Sequence, residues 1–516
     1  MSDMSSDWVG SERPIQQSGG SGGKRRGLWL GAAAVTVVLI GGGAALAVQV
    51  LSGGGAQPDS AVPGDVLGFA RIDIDPSADQ KVNAVRLLRR VPQFEEETGI
   101  TSDRDDLRKK LYDTFAQEGE GCPDYEDGVE PWLGDREGFA AMPAGGGSEP
   151  DPLVVVQVTD EDAAKAGITE LSQCSGSDGT GVAFVGDYAL IAETQDLADD
   201  FAAAAEEAPL ADDADYLADM DALGEAGIAS GWLDLQAAFD QALTGDEQVA
   251  FAASGAGQAE SAAMALTAGS DNLELTLAVN GTLMSPDAGV TSFGDLPAST
   301  LFGFGFTGGA EAVQKLWDQA QSSSADSDMG DLEDFAATVE RETGFVLPRD
   351  VQTLFGDDFV LALDSEGLEL DSSGIPDPRS IRLGLRTSSE FAEVQELAAR
   401  FEQVLAFVAP ADLVEQESER GSVIASNDDY AAALAEGGGL ADAANYQAAV
   451  ADADEAAGVM YVDFDLMLDV ANQLSDQTGA EMPADARETL EVLSAFGVSS
   501  SVDGEYSMAT MRLVFD

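Results

Sequence analysis

Four short segments place an acid or a hydroxyl where chemistry could begin. In each, an apolar run ends in Asp or Thr and a helix-forming stretch follows: Phe69–Asp73, Gly231–Asp234, Phe304–Thr307 and Met460–Asp463. A carboxylate in that place can ligate a cation or move a proton. It can also cap the helix by accepting from first-turn N–H groups that have no partner within the helix. Asp73, Asp234 and Asp463 suit capping. Thr307 shares only that ability with them, so helix N-capping is the expectation for all four. Cys122 and Cys174 are the other reactive side chains. Two cysteines cannot build a zinc or iron–sulfur site alone. The chain contains no histidine, which removes Ser-His-Asp and Cys-His nucleophile activation and every His metal site.

The charge balance narrows the classes further. The chain has 516 residues, with 25 Lys+Arg against 95 Asp+Glu and a formal net charge of −70. Charged residues total 23%, close to the ~25% of ordinary soluble proteins, so the anomaly lies in the sign. Between Lys165 and Lys315 there is no cation, and the same holds between Arg420 and Arg487. Each stretch reads as a solvated acidic lobe, or as a docking surface for a basic partner. A calcium loop of the D-x-[DN]-x-[DN]-G type is missing, as are the P-loop and G-x-S-x-G. Paired carboxylates cleave glycosides, but with 95 acids in the chain no pair stands out. Nucleic acid is excluded by charge and by the lack of a basic stripe with stacking aromatics. The expectation is therefore no catalytic, cofactor-binding or metal residue, and no enzyme.

The elements that position these residues begin with an anchor. Residues 1–26 are polar and end in Lys24-Arg25-Arg26, and residues 27–51 carry no charge. A helix of that length spans ~37 Å, enough to cross a ~30 Å hydrocarbon core with tilt. The one-sided basic triplet predicts a cytoplasmic tail and an extracytoplasmic remainder. A cleaved signal peptide ending near Ala45-Leu46-Ala47 is the rival reading. A linker at 52–62 follows. The rest divides into two copies, 63–285 and 286–516, because local motifs recur in the same order. Glu97-Thr98-Gly99-Ile100 returns as Glu342-Thr343-Gly344-Phe345, and Trp132-Leu133-Gly134-Asp135 as Leu354-Phe355-Gly356-Asp357. Trp232-Leu233-Asp234-Leu235 returns as Tyr461-Val462-Asp463-Phe464. Alternation in Leu273-Glu274-Leu275-Thr276-Leu277 marks a half-buried strand, and Asp271-Asn272 and Asp503-Gly504 mark hairpin turns. The predicted fold class is α+β: two homologous repeats, each an antiparallel sheet packed with helices, preceded by one transmembrane helix.

With the anchor, the duplicated remainder and the strand running into Ile72-Asp73-Ile74-Asp75-Pro76-Ser77, the chain resembles a family of actinobacterial single-pass membrane proteins. That family is known only as a domain of unknown function (family three-three-five-two). The resemblance covers roughly residues 63–516 and implies no activity, cofactor or site residue.

In an exported domain two cysteines predict a disulfide, Cys122 to Cys174. Residues 81–110 concentrate eight basic residues among six acids, and read either as facing anionic headgroups or as pairing with the acidic body. The functional expectation is a membrane-anchored, envelope-exposed, non-catalytic binding or scaffolding protein. It holds the membrane through one N-terminal helix and takes an envelope protein or lipid as partner. A second reading is a carrier of a lipid or apolar ligand in a groove of the ectodomain. A third is a carboxylate-dependent hydrolase.

Overall fold

Strand alternation is what organises the chain. The computed structural model describes residues 57–516, except 74–77, 92–93, 95–107, 110–111, 113–121, 146–148, 175, 177–178, 244–257, 282–287, 325–331, 370–376, 378–379, 406–412 and 480–481. The expected anchor at 27–51 lies outside the described residues. Among the described residues no helix is long and apolar enough to cross a membrane.

Among the described residues sixteen strands form one antiparallel sheet, accompanied by about fourteen helices. The first eight are β1 (Gly68–Asp73), β2 (Leu133–Met142), β3 (Asp151–Val158), β4 (Gly181–Val185), β5 (Tyr188–Ala192), β6 (Ala229–Asp234), β7 (Ser261–Ala268) and β8 (Asn272–Asn280). The second eight are β9 (Thr300–Thr307), β10 (Asp358–Asp364), β11 (Leu383–Thr387), β12 (Val414–Ser418), β13 (Gly421–Ala425), β14 (Gly458–Asp463), β15 (Leu493–Asp503) and β16 (Tyr506–Phe515). The order across the sheet is β12-β13-β11-β10-β9-β14-β15-β16-β8-β7-β6-β1-β2-β3-β5-β4. Read outward from β8 and from β16, the two flanks follow the same sequence of strands.

A sheet in each half was expected, whereas the structure joins all strands into one. β16 pairs with β8 over nine residues, with Thr510 opposite Thr276. The physical reason is edge removal: left apart, β8 and β16 would each present a long row of unpaired N–H and C=O groups. The expected hairpins do close both halves, β7 into β8 and β15 into β16.

Directly paired residues point to the same side of a sheet, so register defines two faces. The first face carries Phe69, Trp232, Val360 and Tyr461. The helices Gln195–Glu207 and Ala214–Leu223 pack there in the first half, and Asp428–Glu436 and Ala444–Ala449 in the second. The second face carries Leu275, Met511, Met460 and Phe304. The Glu161–Cys174 helix covers it at one end, Phe391–Leu405 at the other, and Ala78–Leu88 seats over β7, β8 and β16.

Candidate functional site

Two of the four singled-out residues sit at helix starts and bond there. Asp234 ends β6, and its Oδ1 accepts from Ala237 N at 2.8 Å in the first turn of Leu235–Ala242. Asp463 ends β14, and its Oδ1 accepts from Leu466 N at 2.9 Å in the first turn of Phe464–Thr478. Asp463 is 6% exposed and also accepts from Tyr461 Oη at 2.8 Å and Asn445 Nδ2 at 3.3 Å. Burial and the neighbouring carboxylate raise the Tyr461 hydroxyl above its ordinary pKa.

The other two are placed differently. Thr307 is not a cap. Its Oγ1 donates to Gly289 O at 2.9 Å, and the helix starts later, at Gly309. Gly308, at φ 72°, turns the chain first, and its carbonyl accepts the opening helical bond from Ala312 N at 3.0 Å. The adjacent Gly308-Gly309 pair was the sequence signal for this shift. Asp73 ends β1, but the following helix begins only at Ala78. It therefore does not stand directly before the first turn as Asp234 and Asp463 do, and residues 74–77 lie outside the described residues.

Cys122 and Cys174 are bonded, with Cα atoms 5.0 Å apart. The bridge ties the chain before the Tyr125–Gly128 helix to the end of Glu161–Cys174, over a cluster of Tyr125, Val129, Trp132, Ala164 and Ile168. A lasting disulfide belongs to an oxidising compartment, which suggests an extracytoplasmic domain.

A buried carboxylate that sequence reasoning missed joins the two halves. Asp219 is 1% exposed and accepts from Trp232 Nε1 at 2.7 Å, Tyr506 Oη at 3.0 Å and Asn280 Nδ2 at 3.4 Å. Burial, reinforced by this carboxylate, pushes the Tyr506 hydroxyl up to about 12. No local pattern marks Asp219, because its partners lie on three strands that meet only after folding. Glu137 on β2 faces the second face between Ile72 and Val156. Burial raises its carboxyl to about 7, against the opposing pull of Arg108. Among the described residues no three acidic side chains converge as a metal site requires.

The cation-free stretches come together in space. The four helices on the first face lie within 195–223 and 428–449, and neither range contains Lys or Arg. The helices of that side carry acids and no cation, while Arg71 and Arg386 lie on the same face of the sheet beneath them.

The second face is apolar and unevenly covered. Phe302, Phe304 and Phe306 alternate on β9, flanked by Val462 and Met460 on β14 and then by Phe496 and Val498 on β15. All seven remain partly exposed. The Gly309–Ser324 helix touches Phe306 at Gly309 and then runs against the Arg349–Phe355 and Leu332–Thr343 helices. It leaves Leu316 65% exposed, and its neighbour leaves Phe335 58% exposed. The strands of this strip are hydrogen-bonded on both sides, so a molecule lying on it can make only apolar contact with the floor. Beside the Gly356-Asp357 turn a recess of about 330 Å³ opens, lined among others by Arg349, Thr353, Ser388 and Glu390.

No family model matches the chain, and no curated protein matches it.

Proposed function

We propose that this chain is a single-pass, membrane-anchored protein of the cell envelope whose extracytoplasmic body binds and organises partners without catalysis. The uncharged run at 27–51 behind Lys24-Arg25-Arg26 supports the anchor, and the disulfide supports the outside location. We read the body as two copies of one unit. The matching strand order of the two flanks favours that reading, as does the same backbone bridge at Pro63–Pro209 and Pro297–Gly439. Membership in the actinobacterial family with the Asp73-x-Asp75-Pro76-Ser77 motif belongs to the same proposal.

The observation that carries the non-catalytic reading is how Asp219, Asp234 and Asp463 are used. Asp219 and Asp463 are surrounded by structural donors, and Asp234 holds its helix. The test is substitution. Asp234→Asn and Asp463→Asn should leave recovery of envelope partners unchanged, since Asn caps about as well as Asp. A hydrolytic activity of the purified protein on cell-wall sugars or lipids, abolished by either change without unfolding, would overturn the reading.

A second reading, a carrier of a lipid or other apolar ligand, is favoured by the strip of Phe302, Phe304 and Phe306. Mass spectrometry of gently extracted protein should then show bound lipid. Phe304→Asp should release it if the strip is the site.

A further inference from the structure

The two ends of the sheet are finished differently. β4 closes one end and β12 the other, each as the outer strand of a hairpin with a two-residue turn, Gly186-Asp187 and Glu419-Arg420. A two-residue turn makes its flanking pair a hydrogen-bonded pair, and the pattern alternates from there. On β4, Val185, Ala183 and Gly181 therefore point their backbone groups inward, while Phe184 and Val182 point outward. On β12, Ser418, Gln416 and Val414 point inward, and Glu417 and Glu415 outward.

On β4 the outward groups of Val182 are taken. Gln195 Oε1 accepts from Val182 N at 3.1 Å, and Gln195 Nε2 donates to Val182 O at 3.0 Å. One side-chain amide thus stands in for a neighbouring strand. The crossing is close, since a Cβ at Gly181 would lie 2.1 Å from Thr194 O. The corresponding place on β12 is built from other residues. Asn427 caps its helix as Thr194 does, but the next residue is Asp428, and Val414 stands where Gly181 does. A carboxylate only accepts, so Asp428 cannot repeat the paired bonds of Gln195. Among the described residues nothing takes the outward backbone groups of Glu415 and Glu417.

We propose that β12 is a docking edge for an extended, Lys- or Arg-bearing segment of a partner protein, which adds a seventeenth strand to the sheet. Backbone pairing supplies affinity, and alternate side chains supply selectivity. The charge fits that occupant. Glu415 and Glu417 lie on one side of the edge strand, with Glu419 at its turn and Asp428 and Asp429 at the helix beside it. Arg420, the cation of the turn, is engaged by Asp295. Acidic residues on an edge also deter pairing with a second acidic copy, so the same charges that admit a basic strand reject self-association. This inference rests on the binding reading above and names the class of partner and the place it docks.

The test uses the full chain in detergent micelles and a fluorescein-labelled peptide of alternating Val and Lys, seven residues long. The peptide should bind, and should slow amide exchange at Glu415 and Glu417. Full N-methylation of the peptide, which keeps its charge and removes its donors, should weaken binding at least ~10-fold. Asp428→Gln, which restores the amide that closes β4, should weaken it similarly without lowering the melting temperature. Equal binding of the methylated peptide, undiminished binding to Asp428→Gln, or no binding at all would each overturn the proposal. Recovery of envelope partners that persists in Asp428→Gln would leave the binding reading intact and remove this edge from it.

Discussion

The two flanks of the sheet fill the same space by opposite means. In the first, Phe69 rises from β1 itself into the first-face core, beside Tyr216 and Trp232. In the second, β9 carries glycine on that face, at Gly303 and Gly305, and Phe293 from the preceding turn lies over both. The large side chains of β9 point the other way, as Phe302, Phe304 and Phe306. The helices above follow suit. Ala78–Leu88 buries Ala84, Val85, Leu87 and Leu88 against the sheet, whereas Gly309–Ser324 runs against other helices and leaves Leu316 exposed. The lesson is one of allocation. The same strand order sends the large side chains of β1 and β9 to opposite faces, and the outer strands β4 and β12 differ as well.

The largest effect should come from the ring that stands in for a strand residue. Phe293→Ala should cost about 3–5 kcal/mol, as for a large buried aromatic, because two glycines beneath it cannot fill the void. Chemical denaturation measures this. Gly303→Ala should destabilise the wild type, since its Cβ would approach Leu361 O to 2.7 Å and the Phe293 ring to 3.0 Å. The cost should shrink in the Phe293→Ala background, and strict additivity would mean that the two do not share one site.

Next comes the bridge present only in the first flank. With a sequence separation of 52, the chain-entropy relation gives about 4 kcal/mol for its removal. Cys122→Ser with Cys174→Ser should lower the melting temperature and should expose the Tyr125–Trp132 segment to protease before β10–β13. Simultaneous cleavage of both regions would show that the bridge acts on the whole sheet and not chiefly on its own flank.

A smaller, pH-dependent effect belongs to Glu137. Its folded pKa, about 7, lies above the unfolded value of 4.5, so the folded state binds the proton more tightly. Its contribution to stability is therefore greatest below 4.5 and falls as pH rises to about 7. Glu137→Gln should match wild type near pH 4 and exceed it by about 2–3 kcal/mol at pH 8. A difference that does not change with pH would show that Glu137 carries no buried charge.

The smallest effect is at the caps. Asp234→Asn and Asp463→Asn should each change stability by less than about 1 kcal/mol. Asp463 should be the more sensitive, because it also holds Tyr461 and Asn445.

Much of this organisation was readable before folding. The Trp132–Asp135 and Leu354–Asp357 motifs pointed to the strands β2 and β10 that follow them, the Asp271-Asn272 and Asp503-Gly504 turns to the closing hairpins, and the cysteine count to the bridge. Three things were not readable, each for a physical reason. The union of β8 with β16 is a long-range pairing that no local pattern encodes. Thr307 shares its place in the pattern with the acids, while the glycines after it move the helix start. The difference between Gln195 and Asp428 has meaning only once β4 and β12 are known to be the outer strands.

Amide hydrogen exchange on the intact, unliganded chain tests the central contrast directly. The account predicts that Val182, held by Gln195, exchanges at least ~10-fold more slowly than Glu415, and that Gln195→Asp abolishes the difference. Equal protection of Val182 and Glu415 in the wild-type protein would contradict it.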